Sequence, residues 1–439
     1  MFGTPFLPHR LAGLIAVGLL ACGGRTSGPK SSDAGSPATV ADDAPSTPTE
    51  PADDAGDLSD APTAFPPPSD APQCTGNQLA AAKPITITTP DPAPSSPTLA
   101  SSPSGDRFLA VWTDGGRSIN NVAIPETVWA TMIVAGSAGV PASAAMEVAA
   151  SGACPVAAWG GTGFAIAWGD SEGLRLQLVD TAGAPVGASS LVLSRPNVQA
   201  CPISLVATSA GLALAWYEGE SVLEENVGLV GATGPIGTKL ELDAVGPGVS
   251  PNVGLGVLGG QTYAAFAEWP GGDSPSGRAL TFVARIDWSQ GAAVSQGTAP
   301  GFLISLVVAD GQLLFTTQAF GGGGAPLAYG GTPGAGFPRA VGMCGTEFCE
   351  ATLAADGCGR IVQVGNEGFT PGGFAEGFFV QPLQSSAPPV ELGDVSESSV
   401  VGAQSTFGVL WYWGVGPGGV YPGEEPQTGT LSFTTLSWQ

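Results

Sequence analysis

The chain contains almost no histidine: His9 is the only one in 439 residues. It lies in an N-terminal segment that has the pattern of an export signal and is expected to be cleaved. A Ser-His-Asp or Cys-His nucleophile, a histidine general base and a His-ligated zinc or copper ion each require an imidazole. We therefore exclude these kinds of site from the mature protein.

Basic residues are also scarce. The chain has 13 Lys and Arg but 37 Asp and Glu, which gives a formal net charge of −24. A surface of this sign repels phosphate backbones and anionic lipid headgroups, so no nucleic-acid partner is expected. The glycine run at 321–324 is followed by no lysine and no helical pattern. This excludes a phosphate-binding loop of the usual kind.

Residues 1–21 have the layout of a signal peptide. A short basic stretch, His9 and Arg10, precedes an apolar run from Leu11 to Ala21. The run is too short to span a bilayer permanently but is typical of the hydrophobic region of a signal. We expect this segment to direct export and then to be removed.

The signal ends in Leu19-Leu20-Ala21-Cys22, which resembles the lipobox of bacterial lipoproteins. The resemblance implies cleavage before Cys22, a diacylglycerol on its sulfur and acylation of its amine. Several acyl chains anchor a protein stably to a membrane. By the sorting rule of that family, Gly23 implies the outer membrane. The alternative is an ordinary secretory signal with an incidental cysteine.

Residues 22–73 are rich in Ala, Pro, Ser, Thr and Asp, and Phe65 is their only aromatic residue. They include nine acidic and two basic residues. Such a segment cannot bury enough apolar surface to offset its conformational entropy. We predict a disordered, extended tether here, followed by one folded domain at 74–439.

The folded domain is built from a repeat. The stretch GFAIAWGDSEG at 163–173 recurs as DRFLAVWTDGG at 106–116 and as GLALAWYEGE at 211–220, with weaker copies further on. Neighbouring copies are 47–56 residues apart. The anchoring positions of the seven copies are Trp112, Trp168, Trp216, Phe266, Phe315, Val364 and Trp411.

Each repeat contains four short strand patterns separated by glycine-containing turns, which is typical of a propeller blade. The sequence therefore predicts an all-β fold, a seven-bladed β-propeller of four-stranded antiparallel blades. A β-sandwich array needs about 100 residues per domain, and the turns of a β-solenoid are shorter. The seventh repeat lacks a fourth strand, which we expect Pro84–Thr89 to supply, tying the two ends of the ring together. The repeats resemble short Trp-anchored propeller repeats of surface lipoproteins of Gram-negative bacteria, a resemblance that implies no ligand.

Six cysteines follow Cys22, an even number that suggests disulfides in an exported chain. Cys154 and Cys201 occupy the same position in neighbouring repeats and are predicted to pair. Cys344 is expected to pair with Cys349, and Cys74 with Cys358. The alternative, a Cys-ligated metal, is disfavoured because the chain has no CxxC pair.

Four acids stand two residues after an anchor: Asp114, Asp170, Glu218 and Glu268. On equivalent strands they would line one rim of the propeller, where they could hold Ca²⁺ or a cationic ligand. The alternative is that each acid caps the end of its strand. No other cofactor and no resident metal is expected.

From these features we expect an outer-membrane lipid-anchored protein, facing the periplasm or exposed at the cell surface. We expect a monomer that binds a protein or glycan of the cell envelope without catalysing a reaction and contacts the membrane only through its lipid. One alternative is a His-free carbohydrate-active enzyme that uses Asp and Glu carboxylates, and another is a structural envelope protein without a discrete ligand. Specificity would reside in variable loops such as 270–279 and 414–428.

Overall fold

The protein was analysed as a computed structural model. The structure describes residues 74–90, 94–114, 118–119, 122–123, 126–135, 143–195, 200–219, 223–231, 234–245, 252–268, 279–318, 327–343, 352–366, 375–383, 388–395, 397–413 and 430–439. In this part of the chain the regular secondary structure is entirely β. No helix there is long and apolar enough to cross a bilayer.

The described strands fall into seven antiparallel sheets arranged as blades in a ring, with one additional short hairpin. The strands are β1 Leu79–Ala81, β2 Ile85–Ile87, β3 Pro94–Ser101, β4 Arg107–Asp114, β5 Ser118–Ile119, β6 Val122–Ala123, β7 Thr127–Val134, β8 Met146–Ala149, β9 Ala153–Trp159, β10 Phe164–Asp170, β11 Gly173–Val179, β12 Pro185–Ser194, β13 Ala200–Thr208, β14 Gly211–Glu218, β15 Leu223–Val230, β16 Ile236–Val245, β17 Val253–Leu258, β18 Gln261–Glu268, β19 Leu280–Asp287, β20 Ala292–Pro300, β21 Phe302–Ala309, β22 Gln312–Gln318, β23 Leu327–Gly331, β24 Arg339–Met343, β25 Thr352–Ala355, β26 Ile361–Asn366, β27 Ala375–Pro382, β28 Val390–Val395, β29 Glu397–Gly402, β30 Thr406–Trp413 and β31 Thr430–Trp438.

Blade 1 has the strand order β3-β4-β7-β8, and blades 2 to 6 each use four consecutive strands, from β9 to β28. Blade 7 has the order β29-β30-β31, with β1 and β2 on the outer side of β31. The first strand of every blade contacts the first strands of both neighbouring blades, and these contacts close on themselves between β29 and β3. The seven first strands therefore form the wall of a central channel. The predicted seven-bladed propeller is confirmed.

Tight turns join the first strands to the second strands. Between β21 and β22 the loop is Asp310-Gly311, with φ of 46° and 70°. Between β17 and β18 it is Gly259-Gly260, with φ of 57° and 75°. Two consecutive residues with positive φ match the twist of a hairpin, which explains why these turns use Gly and Asp.

The core lies between the blades, and the repeated anchors supply it. Trp112, Trp168 and Trp216 sit on second strands and are at most 1% exposed. Each packs in an apolar cluster with the preceding blade, for example Trp168 with Val128 and Met132 of blade 1. Because a second strand is buried on both faces, its sequence is a nearly continuous apolar run rather than an alternating one.

The ring is closed by the N-terminal part of the domain. Ile85 pairs with Phe433, and Ile87 pairs with Leu431, so β2 is the fourth strand predicted at Pro84–Thr89. No pattern in the sequence predicted β1, which pairs with the end of the same strand through Leu79 and Trp438. The N-terminal segment thus closes the ring as predicted, and it does so with two strands, β1 and β2, where one was expected.

Two of the predicted disulfides are present in the structure. Cys154 and Cys201 join the first strands of blades 2 and 3, with their Cα atoms 5.6 Å apart. Cys74 joins Cys358, in the turn between the first two strands of blade 6, with a Cα–Cα distance of 5.7 Å. The third predicted pair, Cys344 with Cys349, lies outside the described residues.

Candidate functional site

We call the face where the first strands begin the upper face, and the face with the turn of Cys358 the lower face. All four acids predicted to form a rim end second strands at the upper face: Asp114, Asp170, Glu218 and Glu268. They are one strand further from the axis than the channel wall, since Glu218 pairs with Ala200 and Asp114 pairs with Pro94 of the first strands.

Asp170 is engaged within its own blade. It accepts hydrogen bonds from the backbone amides of Glu172 (2.8 Å) and Gly173 (3.1 Å). It also forms an ion pair with Arg175. These are the contacts of a turn cap, which was the alternative prediction for the acids.

Glu218 is 5% exposed and also has local partners. Its Oε2 accepts a hydrogen bond from Nε of Arg195 at 2.8 Å, and its Oε1 is ion-paired with Lys239. Burial opposes ionisation of Glu218, but the hydrogen bonds from Lys239 and Arg195 outweigh it and hold its pKa below the usual range.

The structure describes the other two acids in less detail. Asp114 is 4% exposed at the end of β4, and Glu268 ends β18 with a side chain outside the described residues. In the described part of the chain, no group of three or more His, Cys, Asp or Glu is placed to hold a metal ion. The hypothesis of a Ca²⁺ site on this rim therefore rests on the sequence alone.

The upper face instead has a cavity of about 470 Å³ at the mouth of the channel. Its wall comes from blades 1, 2, 3, 6 and 7, mostly from their first strands, and the Cys154–Cys201 disulfide forms part of it. This volume lies within the range of small-ligand sites.

Irregular backbone shapes this wall. The strand registers of blades 1 and 3 shift at Ser95/Thr98 and at Pro202/Ser204, and blade 2 shifts in the same region. Ser96 and Cys154, each followed by proline, have φ of 51° and 52°. A proline cannot donate to a sheet ladder and is tolerated at a bulge. The Xaa-Pro pairs at the start of the repeats therefore predict bulges at the channel mouth.

Glu397 lies in this cavity at the start of β29. Its Oε2 accepts a hydrogen bond of 2.6 Å from the backbone amide of Ser96, in blade 1. Although Glu397 remains accessible to solvent, the surrounding protein displaces much of the water near its carboxyl. This desolvation raises the pKa of Glu397, against the lowering effect of the hydrogen bond.

Sequence reasoning missed Glu397 because only acids next to the anchor positions on the second strands were considered, and Glu397 lies on a first strand. Glu397 pairs with Tyr412, and Cys201 pairs with Tyr217 in the corresponding place of blade 3. An alignment of the first strands would have shown one acid where other repeats have cysteine. Among the described residues of the seven first strands, Glu397 is the only charged one.

Another, smaller cavity of about 220 Å³ is lined by residues of blades 1, 2 and 3. It is lined by Glu126 and Asp170. Burial raises the pKa of Glu126, and a hydrogen bond from Thr113 opposes this shift. The volume is below the usual range of ligand pockets.

No protein-family model matches the chain, and no curated protein matches it. Its structure is similar to that of a protein of unknown function from Dyadobacter fermentans, at 11% identity, with a TM-score of 0.48, over 82% of this chain and 100% of that one. It is similar to Chaetomium thermophilum Raptor at 9% identity and a TM-score of 0.48, over 83% of this chain and 29% of that one. A structure from work on two prolyl endopeptidases has 14% identity and a TM-score of 0.39, over 73% and 45% of the two chains. Similarity at this level carries no information about ligand or activity.

Proposed function

We propose that this chain is an outer-membrane lipoprotein whose propeller binds a protein or glycan of the cell envelope at the upper mouth of its channel, without catalysing a reaction. The observation that carries the proposal is the cavity itself. Its described lining contains one carboxylate, Glu397, whereas glycoside hydrolysis of the usual kind needs two.

The wall of the cavity is suited to binding because it is held in place before a ligand arrives. The Cys154–Cys201 disulfide fixes two neighbouring first strands, and the hydrogen bond between Ser96 and Glu397 joins blades 1 and 7. A site that is already ordered loses less conformational entropy on binding.

The position of the chain's entry fits a membrane anchor. Cys74 is bonded to Cys358 at the lower face, so the described domain begins on the side opposite the cavity. Lipidation itself is supported by the sequence at 19–22.

The test uses the purified full-length protein, a glycan array and defined peptides. Ser398→Trp places a large side chain in the cavity that Ser398 lines, and we expect it to abolish capture. The matched control is Ser295→Trp on β20, where Ser295 is exposed and far from any first strand. Capture that survives Ser398→Trp would rule out the channel mouth as the binding site.

The second candidate function is hydrolysis of a glycan at the smaller cavity. It is favoured by one observation, that Glu126 and Asp170 line the same cavity. The elevated pKa of Glu126 suits a general acid. Release of sugar from a glycan by the full-length protein, lost in Glu126→Gln, would support this function and contradict a purely binding role.

A further inference from the structure

Among the described residues, no cation lies beside Glu397, unlike Asp170 and Glu218 on the upper face. Asp170 is paired with Arg175, and Glu218 with two basic groups. Within the described residues, no Lys or Arg nitrogen lies within salt-bridge distance of Glu397. A carboxylate that has no counter-ion and faces a cavity attracts a cationic group of a ligand.

The rest of the cavity is neutral and rich in hydroxyl groups. Its described lining includes no Lys, Arg or His. The hydroxyl-bearing residues that line it are Ser96, Thr98, Tyr217, Thr352 and Ser398. A hydroxyl both donates and accepts hydrogen bonds, so this lining complements a molecule that carries several hydroxyls of its own.

Apolar surface is interleaved with these groups. Pro97, Pro155 and Pro202 come from three adjacent blades and line the same cavity. The half-buried ring of Tyr217 adds an aromatic surface. Rings of this kind suit the C–H face of a sugar, while polar neighbours bind its hydroxyls.

We propose that the cavity selects a glycan that carries a free, protonated amine, that is, a de-N-acetylated hexosamine. The ammonium group contacts the carboxylate of Glu397, and the sugar hydroxyls contact the hydroxyl-bearing lining. N-acetylation would remove the charge and bring an uncharged amide to a carboxylate. This inference rests on the proposed binding function and names its ligand class. The net charge of −24 attracts such a ligand at long range.

The experiment is calorimetric titration of the full-length protein with two trisaccharides, the β-1,4-linked glucosamine trimer and its fully N-acetylated form. We expect the free-amine trimer to bind at least about tenfold more tightly, a factor equivalent to about 1.4 kcal/mol. Glu397→Gln should abolish this preference and leave the affinity for the acetylated trimer unchanged. Glu391→Gln, at an exposed position on β28, is the matched control.

Each other outcome overturns the proposal. Equal affinity for the two trimers, or a preference that survives Glu397→Gln, would exclude selection of the amine by this carboxylate. Tighter binding of a lysine-containing peptide than of either trimer would assign the ligand to peptides. Binding by neither trimer would exclude the glycan class. The capture experiment with Ser398→Trp is independent of these outcomes, and it alone decides whether the channel mouth is a binding site.

Discussion

The backbone amide of Ser96 donates a 2.6 Å hydrogen bond to the carboxylate of Glu397, so blades 1 and 7 meet at the mouth of the channel. This contact lies beside the seam where the ring closes. It orients one oxygen of the carboxylate and leaves the group accessible from the cavity.

The first prediction concerns the effect of the charge on Glu397 on the free energy of unfolding. Because the pKa of Glu397 is raised in the folded state, ionisation above that pKa disfavours folding. Glu397→Gln is therefore expected to increase the free energy of unfolding at pH 7, and this gain should shrink as the pH falls and the wild-type carboxyl becomes protonated. Denaturant titrations at several pH values measure it, with Glu391→Gln as control. A loss of stability at pH 7 would contradict this account.

The second prediction concerns Glu218, whose pKa is shifted the other way. The ion pairs of Glu218 with Arg195 and Lys239 stabilise the folded state at pH values above about 4.5, the pKa of glutamate in the unfolded chain. This stabilisation is lost as the pH falls through the lower pKa that Glu218 has in the folded state. Glu218→Gln should cost about 1 kcal/mol at neutral pH, since both cations are partly exposed.

The measurement for Glu218 is the pH dependence of urea unfolding below pH 5. The variant should lose less stability than the wild type on acidification, because its ion pairs are already absent. Glu147→Gln, at an exposed position on β8, should follow the wild-type curve. Parallel curves for wild type and Glu218→Gln would refute the prediction.

The third prediction compares the two disulfides. Cys74–Cys358 spans 284 residues and Cys154–Cys201 spans 47. In the chain-entropy model the longer loop contributes about 1.6 kcal/mol more. The double serine variant at 74 and 358 should therefore unfold at lower denaturant concentration than the variant at 154 and 201. If the variant at 154 and 201 unfolded at the lower denaturant concentration, the entropy of the closed loop in the unfolded chain would not determine which disulfide stabilises the fold more.

The fourth prediction concerns the anchor. Cys22→Ala should prevent lipid attachment and release the protein from the membrane fraction of cells that process bacterial lipoproteins. Mass spectrometry of the wild-type N-terminus should find acyl chains on Cys22. Membrane retention of the alanine variant would indicate another anchor, whereas a wild type without acyl chains and outside the membrane fraction would favour the ordinary secretory signal.

The fold was predictable because one physical requirement recurs in every repeat. A second strand buried on both faces needs a continuous apolar run, and Trp112, Trp168 and Trp216 mark it at regular spacing. The disulfides at 154–201 and 74–358 followed once the repeats were aligned. β1 was missed because three residues, Leu79–Ala81, carry no periodic signal.

The site was less predictable. The rim acids follow the anchors in sequence, but strand pairing places Asp170 and Glu218 outside the channel wall and supplies each with basic partners. Whether an acid is neutralised depends on side chains from other strands, as with Lys239 on β16. Spacing along one strand does not contain that information. Glu397, the single acid among the described residues of the wall, stood out only once the first strands were in register.

The composite seventh blade has a consequence for how the protein is made. Thr434 on β31 donates a hydrogen bond to the carbonyl of Ala82 across 352 residues of sequence. In a chain synthesised from its N-terminus, β1 and β2 therefore cannot pair within blade 7 until β31 has been made. Any product terminated before Thr430 exposes open sheet edges, which invite aggregation and proteolysis. Because blade 7 joins both ends of the described domain, a truncated chain cannot close the ring.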